Sequence, residues 1–388
     1  MDKRVYLLMI ISFVIGMVEL IISGILDLIA EDLNVTLGQA GYLITIFSLI
    51  FAIASPILLI ATAKIERKRL TLINLIIFLL GNIVTVLSPN YSILFLGRMI
   101  TATSGALLII LCLVMAPTIV EPKYRGRAIG IVSMGVSGSL VLGIPIGLML
   151  GNAFGWRAPF LFITILTVFS IIGVSLLMER VEPKPSVPIR TQLATLKSSK
   201  ILFAQITTFL YIAGHTSIYA YLKPFIQSTT SLDGNWISII YFVFGVAAVS
   251  GGGIGGTLSD RFGSNKIILV SIVIFSVTIF AIPYTTVAIS LFLLGIVIWG
   301  ILSWAITPAM QSYLIDASPE TSDIQQSLNN SSLHFGIAFG SLLGGLIIEH
   351  GSVEQTATIG GVLVTLSLVT ALISMKKHHV LQEERAVG

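Results

Sequence analysis

The chain has 388 residues, of which 55% are hydrophobic and 10% are charged, and its mean hydropathy is +0.99. Soluble domains carry about 25% charged residues, so this composition excludes an ordinary cytosolic enzyme, a disordered chain and a nucleic-acid-binding protein. The single cysteine, Cys112, excludes an internal disulfide and a cysteine-based metal cluster. We therefore predict a protein embedded in a lipid bilayer.

Apolar runs long enough to cross a bilayer recur along the whole chain. A spanning helix needs about 20 predominantly apolar residues, which predicts an all-α membrane protein with twelve transmembrane helices. The predicted spans are residues 6–27, 41–62, 70–88, 92–115, 128–150, 158–178, 200–222, 236–258, 266–284, 287–308, 325–348 and 355–375. No small-residue cleavage site follows the first run before Glu31, so we predict a retained span rather than a secretory signal.

The basic residues predict the orientation of these spans. Loops that are rich in Lys and Arg stay in the cytoplasm. With both termini inside, 19 of the 22 basic residues lie in cytoplasmic segments, Arg157 and Lys223 lie in outer loops, and Arg98 lies within span 4. This distribution predicts cytoplasmic termini, and it explains the formal charge of +4 without a nucleic-acid partner.

A polar stretch divides the chain into two halves. Residues 179–200 contain three prolines and are typical of a linker. We predict a first bundle over 1–180, a cytoplasmic linker over 181–199, and a second bundle with a short tail over 200–388. Features of the halves recur at an offset of 197 residues, which indicates a parallel repeat: the segment 256–263 after span 8 falls on 59–66 after span 2.

The same offset relates two rows of small residues. They recur every four residues, which places them on one helix face where two backbones can approach closely. Span 5 carries Gly135, Ser139, Gly143, Gly147 and Gly151, and span 11 carries the images of the middle three, Gly336, Gly340 and Gly344. Generic helix packing is the alternative interpretation for any one of these glycines.

Several motifs resemble those of the major facilitator superfamily. The segment Gly256-x-Leu258-x-Asp260-Arg261-x-Gly263 resembles its signature loop, in which Gly256, Asp260, Arg261 and Gly263 would form a conformational latch. Leu96-Gly97-Arg98 resembles its proton-coupling arginine motif. Gly143-Ile144-Pro145-x-Gly147 resembles the antiporter motif of drug:proton exporters, with Gly340 and Gly344 as its second-half images. The resemblance implies two pseudo-symmetric six-helix bundles that alternate access.

The first-half copy of the signature loop departs from the family pattern. Ala63 replaces the acidic residue, and Leu59 and Glu66 replace the glycines, while the basic run 64–69 remains. The resemblance therefore implies an asymmetric latch, to which the second-half loop contributes more than the first.

A narrower resemblance concerns the sugar- and purine-efflux branch of the family. It rests on Glu19 in span 1, on Gly155-Trp156-Arg157, and on Ala213-Gly214-His215. Residues 322–327 and 299–304 are similar to segments of bacterial exporters of purine bases and nucleosides. The resemblance implies a proton-coupled exporter of purine bases or nucleosides in the bacterial inner membrane. Export of sugars or of drug-like amphipathic compounds is the alternative.

Two ionisable residues within spans are the candidates for proton coupling, because such residues are costly in a bilayer. Glu19 lies roughly 20 Å into span 1 from the cytoplasmic side, and Arg98 lies roughly 9 Å into span 4 from the outer side. In a core of about 30 Å these depths nearly coincide. Our hypothesis is that Glu19 alternates between a proton and either substrate or Arg98. The alternative is a static ion pair that fixes helix register.

The candidates for a substrate cavity are aromatic, imidazole and amide side chains of the second half. Aromatic rings would stack on a flat heteroaromatic base and the amides would contact its edge. They are His215, Tyr211, Tyr219, Trp299, Trp304, Gln325, Gln326, Asn329 and Asn330. His215 also titrates near neutral pH in its free form, and packing is its alternative role. Aromatic residues near span ends are commonly interfacial anchors, which we predict for Tyr221 and Trp236, while Trp304 is open to both interpretations.

Other classes of protein have weaker support in the sequence. We find no nucleotide-binding loop, no catalytic residues, no metal ligands at suitable spacing and no cofactor motif. The partners that we expect are a small molecule, protons and lipid, and the expected state is a monomer. A membrane-embedded enzyme and a receptor that binds without transport are the rival classes.

Overall fold

The computed structural model of the chain describes residues 2–121, 124–182, 189–230 and 232–386. Their regular secondary structure is helical throughout. The helices are α1 Lys3–Asp32, α2 Leu37–Ala61, α3 Arg67–Val86, α4 Tyr91–Met115, α5 Arg125–Gly138, α6 Ile144–Phe154, α7 Arg157–Leu177, α8 Ile189–Ala194, α9 Ser199–Tyr219, α10 Leu222–Thr229, α11 Asn235–Phe262, α12 Ser264–Thr285, α13 Ile289–Ala317, α14 Ser322–His350 and α15 Gln355–Ala386.

Twelve helical segments of the described chain are long and apolar enough to cross a membrane. This confirms the predicted number of spans. Two of the helices, α8 and α10, are short and lie outside the spanning set.

The chain forms two compact units. Unit 1 consists of residues 1–187 together with 232–242, and unit 2 consists of 188–231 together with 243–388. The first turns of α11 therefore group with unit 1, where the Tyr241 hydroxyl donates to the Ser23 carbonyl oxygen of α1 at 3.1 Å. Within unit 1, α1 packs against α2, α4, α5 and α7; within unit 2, α9 packs against α13, α14 and α15.

The fifth span is composite. Helices α5 and α6 are joined by a π-helical segment, Ser139–Gly143, and Pro145 follows it at the start of α6. A π-helical turn widens the helix and interrupts its regular hydrogen bonds, and Pro145 lacks an N–H. The predicted antiporter motif therefore lies where this helix changes pitch.

The predicted latch segment requires a correction. The sequence placed residues 256–263 in a loop after span 8, but α11 continues to Phe262. Gly256, Asp260 and Arg261 are therefore helical, and the turn begins at Gly263, whose φ of +87° suits glycine. Hydropathy located the apolar part of the helix and missed its polar last turn.

The tenth span is also longer than predicted. We expected it to end at residue 308, yet α13 runs through Pro308 to Ala317. Trp304, which the shorter span placed near a helix end, consequently lies in the middle of α13 and is half-buried.

The two predicted aromatic anchors differ in the structure. Trp236 at the start of α11 is 47% exposed, as expected of an anchor. Tyr221 is fully buried, and its hydroxyl donates to the Ser341 carbonyl oxygen at 2.9 Å. The prediction for Tyr221 is wrong, because this ring packs inside unit 2.

Side chains tie the helix ends of unit 1 together at both ends of the bundle. At one end, Asp32 accepts from Trp156 Nε1 at 2.8 Å and from Arg157 Nη1 at 2.7 Å, and Arg157 Nη2 donates to the Ser88 carbonyl oxygen at 2.9 Å. These contacts join the ends of α1, α3 and α7. At the other end, Arg4 forms an ion pair with Glu179 at 3.2 Å.

Glu66 anchors the segment that follows α7. Its carboxylate caps α3 by accepting from Lys68 N and Arg69 N, both at 2.8 Å, and it also accepts from Val181 N at 2.9 Å. Arg67 N donates to Val181 O at 2.9 Å. Burial acts to raise the pKa of the Glu66 carboxyl, but the backbone donors outweigh it and hold that pKa below its ordinary value of 4.5.

Candidate functional site

The interior of unit 1 holds a buried arginine. Arg98 of α4 is fully buried, its Nη1 donates to the Val18 carbonyl oxygen of α1 at 2.8 Å, and its Cζ lies 4.2 Å from the centroid of the Phe47 ring of α2. Such a cation–π contact stabilises a guanidinium that is removed from water. Three helices therefore fix the position of one positive charge.

Glu19 is the next residue after Val18 and interacts electrostatically with Arg98. The structure thus brings the two predicted proton-coupling residues into one region of unit 1. Glu19 is half-buried. Two of the guanidinium nitrogens of Arg98, Nε and Nη2, are buried without a hydrogen-bond partner in the described part of the chain. This arrangement holds hydrogen-bond donors in reserve for an acceptor such as a carboxylate.

The interior of unit 2 contains an aromatic cluster, which we define as Tyr211, His215, Tyr219, Phe244, Phe275 and Trp299. The ring centroids of Tyr211 and Phe275 are 4.6 Å apart, and those of Tyr219 and Phe244 are 4.7 Å apart. Trp299 stands edge-on to Phe244 at 5.5 Å. Four of the predicted cavity residues therefore meet, and their rings pack against one another, Trp299 by its edge.

Two hydrogen bonds orient members of the aromatic cluster. Trp299 Nε1 donates to His215 Nδ1 at 3.0 Å, and the Tyr211 hydroxyl donates to the Leu302 carbonyl oxygen at 2.7 Å. Trp299 and Tyr211 are fully buried, whereas His215 is half-buried. His215 is thus the member of these three that retains accessible surface.

A network of amides and hydroxyls connects α9 with α14. Asn329 Nδ2 donates to Gln205 Oε1 at 3.0 Å and to Thr208 Oγ1 at 2.8 Å, and Gln205 Nε2 donates to the Gln325 carbonyl oxygen at 3.3 Å. The buried Gln325 Oε1 has no partner among the described residues. Thr208 and Asn329 also line a cavity of about 10 Å³, which is room for a single water molecule.

Three other predicted cavity residues lie apart from these groups. Gln326 Nε2 donates to the Gln311 carbonyl oxygen at 3.1 Å, Asn330 is exposed, and Trp304 is outside the aromatic cluster. Only two of the four predicted amides, Gln325 and Asn329, therefore join the network.

The predicted latch residues lie at one end of unit 2. Asp260 and Arg261 are exposed, and within the described chain no ion pair involves Asp260. Gly263 opens onto a groove of about 310 Å³, whose other lining residues include Lys200, Lys266 and Asp316.

The rows of small residues pack against the first helix of each unit. A side chain at Gly143 would meet Met17, and one at Gly147 would meet Ile21, both on α1. In unit 2, a Cβ at Gly340 or Gly344 would meet the backbone carbonyl oxygen of Ala213 or Ser217 on α9. In unit 1 a Cβ at Gly135 would likewise meet the Met9 carbonyl oxygen of α1, so backbone faces backbone in both units.

The sequence pattern did not single out some of the residues that form these sites. Phe47, Phe244 and Phe275 gave no signal, because a phenylalanine in an apolar span matches the pattern of any lipid-facing or core residue. Gln205 and Thr208 interrupt an apolar span at a spacing of three, so they share a helix face. That spacing is the sequence feature from which a polar contact of α9 could have been predicted. In the described residues, no three His, Cys, Asp or Glu side chains are grouped to hold a metal ion.

Comparison with known proteins places this geometry in a family. Residues 8–322 and 204–386 match the model of the Major Facilitator Superfamily. Two relatives from Bacillus subtilis (strain 168) are similar over nearly the whole chain. The uncharacterized MFS-type transporter YbcL is 31% identical over 95% of this chain and 95% of its own length, and YtbD, described in the same terms, is 29% identical over 92% and 91%.

Solved structures show the same fold. The crystal structure of a bacterial homolog of the human lysosomal transporter Spinster, in an inward-facing and occupied conformation, superposes with a TM-score of 0.75. It covers 96% of both chains at 16% identity, and its unoccupied counterpart gives the same values.

Proposed function

The chain belongs to the Major Facilitator Superfamily, and from this premise we propose that it exports a small molecule in exchange for protons. Transporters of this family act on small-molecule substrates within the membrane. The finer proposal is alternating-access export of purine bases or nucleosides, driven by proton entry. One observation carries the coupling: a buried arginine with two unused donors lies beside Glu19.

The proposed coupling follows from charge balance. While Glu19 is ionised, Arg98 compensates its charge in a region where an unpaired charge is costly. Glu19 binds either a proton or a donor group of the substrate, and Arg98 compensates its charge while the carboxylate is ionised. Proton binding and substrate binding then compete for one carboxylate, which links the two fluxes as an exchange.

The proposed substrate class rests on the side chains of unit 2. Aromatic faces favour a flat ring, and amides supply donors and acceptors for its edge. His215 is the half-buried member of the aromatic cluster, and Gln325 Oε1 is an amide acceptor without a partner among the described residues; these two groups of unit 2 support the substrate class. Sugars and amphipathic drugs could use the same types of side chain, so transport assays are needed to separate these alternatives.

The proposed orientation rests on the basic residues. The end of unit 1 that carries Arg4 and Lys68 is basic, and we assign it to the cytoplasm together with both termini. The proposed location is the bacterial inner membrane, and the proposed state is a monomer.

Efflux from proteoliposomes tests the substrate proposal. Vesicles containing the full-length protein are loaded with labelled hypoxanthine, adenosine, a sugar or a cationic dye, and are then placed in acidic buffer. We expect the pH gradient to accelerate release of the purines. Release of the dye alone would defeat the purine assignment, and binding without flux would favour a receptor.

The variant Glu19→Gln tests the coupling. It is expected to release substrate without dependence on the pH gradient, since the amide carries no titratable proton. Glu31→Gln, at the exposed end of the same helix, is the matched control and should keep the dependence. Full gradient dependence in Glu19→Gln would remove this carboxylate as the proton carrier.

A further inference from the structure

The imidazole of His215 is confined by four aromatic side chains. It stacks on Tyr219, one turn further along α9, with centroids 5.0 Å apart and an angle of 23°. Phe244 of α11 is nearly parallel to it at 6.0 Å and 17°, and Phe275 of α12 lies at 6.1 Å. Trp299 of α13 meets the ring edge-on at 5.8 Å. Four helices of unit 2 therefore fix the plane of one histidine.

The contact with Trp299 determines which nitrogen carries the proton. An indole N–H is a donor and has no acceptor function. Because Trp299 Nε1 lies 3.0 Å from His215 Nδ1, Nδ1 must accept and therefore carries no proton. A neutral imidazole with a bare Nδ1 carries its proton on Nε2. An imidazolium would set two N–H groups against each other at this contact.

The second nitrogen of His215 remains available. No described residue has a hydrogen bond to His215 Nε2, and the side chain is half-buried. Of the four rings that contact the imidazole, only Tyr219 is titratable, while Phe244, Phe275 and Trp299 are neutral. The nearby Tyr211 hydroxyl is already used by the Leu302 carbonyl oxygen.

We propose that Trp299 is a positioning residue that holds His215 as the neutral Nε2–H tautomer, and that this N–H donates to an acceptor atom of the transported substrate. The inference rests on the proposed function and deepens it. It specifies a planar substrate with a ring nitrogen or carbonyl oxygen at its edge, and it excludes His215 as a proton carrier. The coupling proton and the recognition proton then lie on different residues, Glu19 and His215.

Nitrogen NMR of the full-length protein tests the tautomer directly. With ¹⁵N-labelled histidine, the signal of His215 is assigned among the five histidines as the one lost in His215→Gln. We expect the Nε2–H tautomer to persist between about pH 5.5 and 7.5. Trp299→Phe keeps a ring but removes the donor, so its His215 signal should exchange between tautomers or titrate. An Nδ1–H form or an imidazolium in the unaltered protein would overturn the proposal.

Transport kinetics test the role of the donor. Loss of one hydrogen bond, about 1.4 kcal/mol, corresponds to a tenfold change. His215→Phe is therefore expected to raise KM for hypoxanthine about 10-fold with kcat nearly unchanged, and His215→Gln, which keeps an N–H, is expected to restore most of the loss. Where Trp299→Phe is assayed in the same way, Trp236→Phe, at an exposed site of α11, is the control for the loss of one tryptophan. An unchanged KM in His215→Phe would overturn the proposal.

Substrate analogues identify the acceptor. We compare hypoxanthine with a series of analogues that each lack one ring nitrogen or the carbonyl oxygen. One member should bind more weakly than hypoxanthine to the unaltered protein, yet as well as hypoxanthine to His215→Phe, because the variant no longer donates to the missing acceptor. Equal further losses for every member would contradict donation from His215. If no purine is transported at all, the proposed function fails, and the NMR result alone then decides for or against the tautomer.

Discussion

The interiors of the two units share a packing plan and differ in chemistry. In each unit a row of small residues lets a later helix approach the first one: Gly143 and Gly147 against α1, and Gly340 and Gly344 against α9. Between the helices, however, unit 1 buries the charged Arg98 beside Glu19, whereas unit 2 buries a neutral group of rings around His215. The repeat thus preserves backbone contacts while its side chains have diverged.

The divergence occurs at neighbouring positions of the repeat. Under the offset of 197 residues, Glu19 falls on Thr216, so the carboxylate of unit 1 and the imidazole that Trp299 contacts in unit 2 lie one residue apart in the repeat. We infer a division of labour in which unit 1 handles charge and unit 2 handles recognition. Four changes test this comparison, beginning with the largest expected effect.

Arg98→Leu removes the charge that distinguishes unit 1. The substitution leaves the Val18 carbonyl oxygen without its donor and Glu19 without compensation, and loss of one partner from a buried charge pair costs about 3–5 kcal/mol. We expect proton-driven efflux to fall at least ~100-fold. Efflux per folded molecule measures the effect, with Arg98→Lys as the variant that keeps the charge. Unimpaired, gradient-driven efflux in Arg98→Leu would end the division of labour.

Gly340→Ala tests the packing that the units share. The new methyl group would meet the Ala213 backbone carbonyl oxygen, and such overpacking costs about 1–3 kcal/mol. Gly147→Ala should cost less, because the obstacle there is the Ile21 side chain, which can rotate. Thermal unfolding in detergent ranks the variants. Gly252→Ala, whose methyl group meets nothing within 4 Å, is the control, and a melting point below that of Gly340→Ala would refute the packing argument.

Asp32→Asn weakens the tie between helix ends in unit 1. Asp32 is part-exposed, so loss of the carboxylate charge that pairs with Arg157 should cost at most about 1 kcal/mol. We expect a small fall in the melting temperature of the variant. The difference from the unaltered protein should shrink at high salt, because salt screens the ion pair that the unaltered protein retains. Glu31→Gln is the neighbouring control, and an equal fall in both variants would show a general charge effect instead.

Glu66→Gln is expected to have the smallest effect of the four changes, and that effect should depend on pH. Its pKa lies below 4.5 in the folded protein, so its contribution is present above that pH and is lost as the pH falls through the folded pKa. We expect Glu66→Gln to raise hydrogen exchange around Val181 at pH 7, and the difference from the unaltered protein to vanish in acid. A difference that grows in acid would contradict the contact between Glu66 and Val181.

The image of Glu66 under the offset is Gly263, where unit 2 turns the chain with a positive φ instead of a carboxylate cap.

The sequence predicted the number of spans because each crossing requires an apolar run of fixed length. It failed at the ends of α11 and α13 because helices continue past the apolar region into polar residues that hydropathy does not score. The depths of Glu19 and Arg98 followed from the helical rise, which is why these residues could be paired in advance.

The partners within each site were harder to predict. Phe47 under Arg98 and Phe244 beside His215 resemble any other of the 20 phenylalanines, and only packing distinguishes them. Tyr221 was misassigned because its position near a span end is typical of an anchor. In the structure its hydroxyl donates to the Ser341 carbonyl oxygen inside unit 2.

The π-helical segment over 139–143 determines where the fifth span can lose a residue. It accommodates one residue more than a regular α-helix of the same rise. A chain shortened by one residue there would close into ordinary α-helical winding, and Gly135 and Gly147 on either side would keep their neighbours Met9 and Ile21. A deletion scan should find this span tolerant at that spot and intolerant a turn away, where removal of a residue would rotate everything beyond it by about 100°.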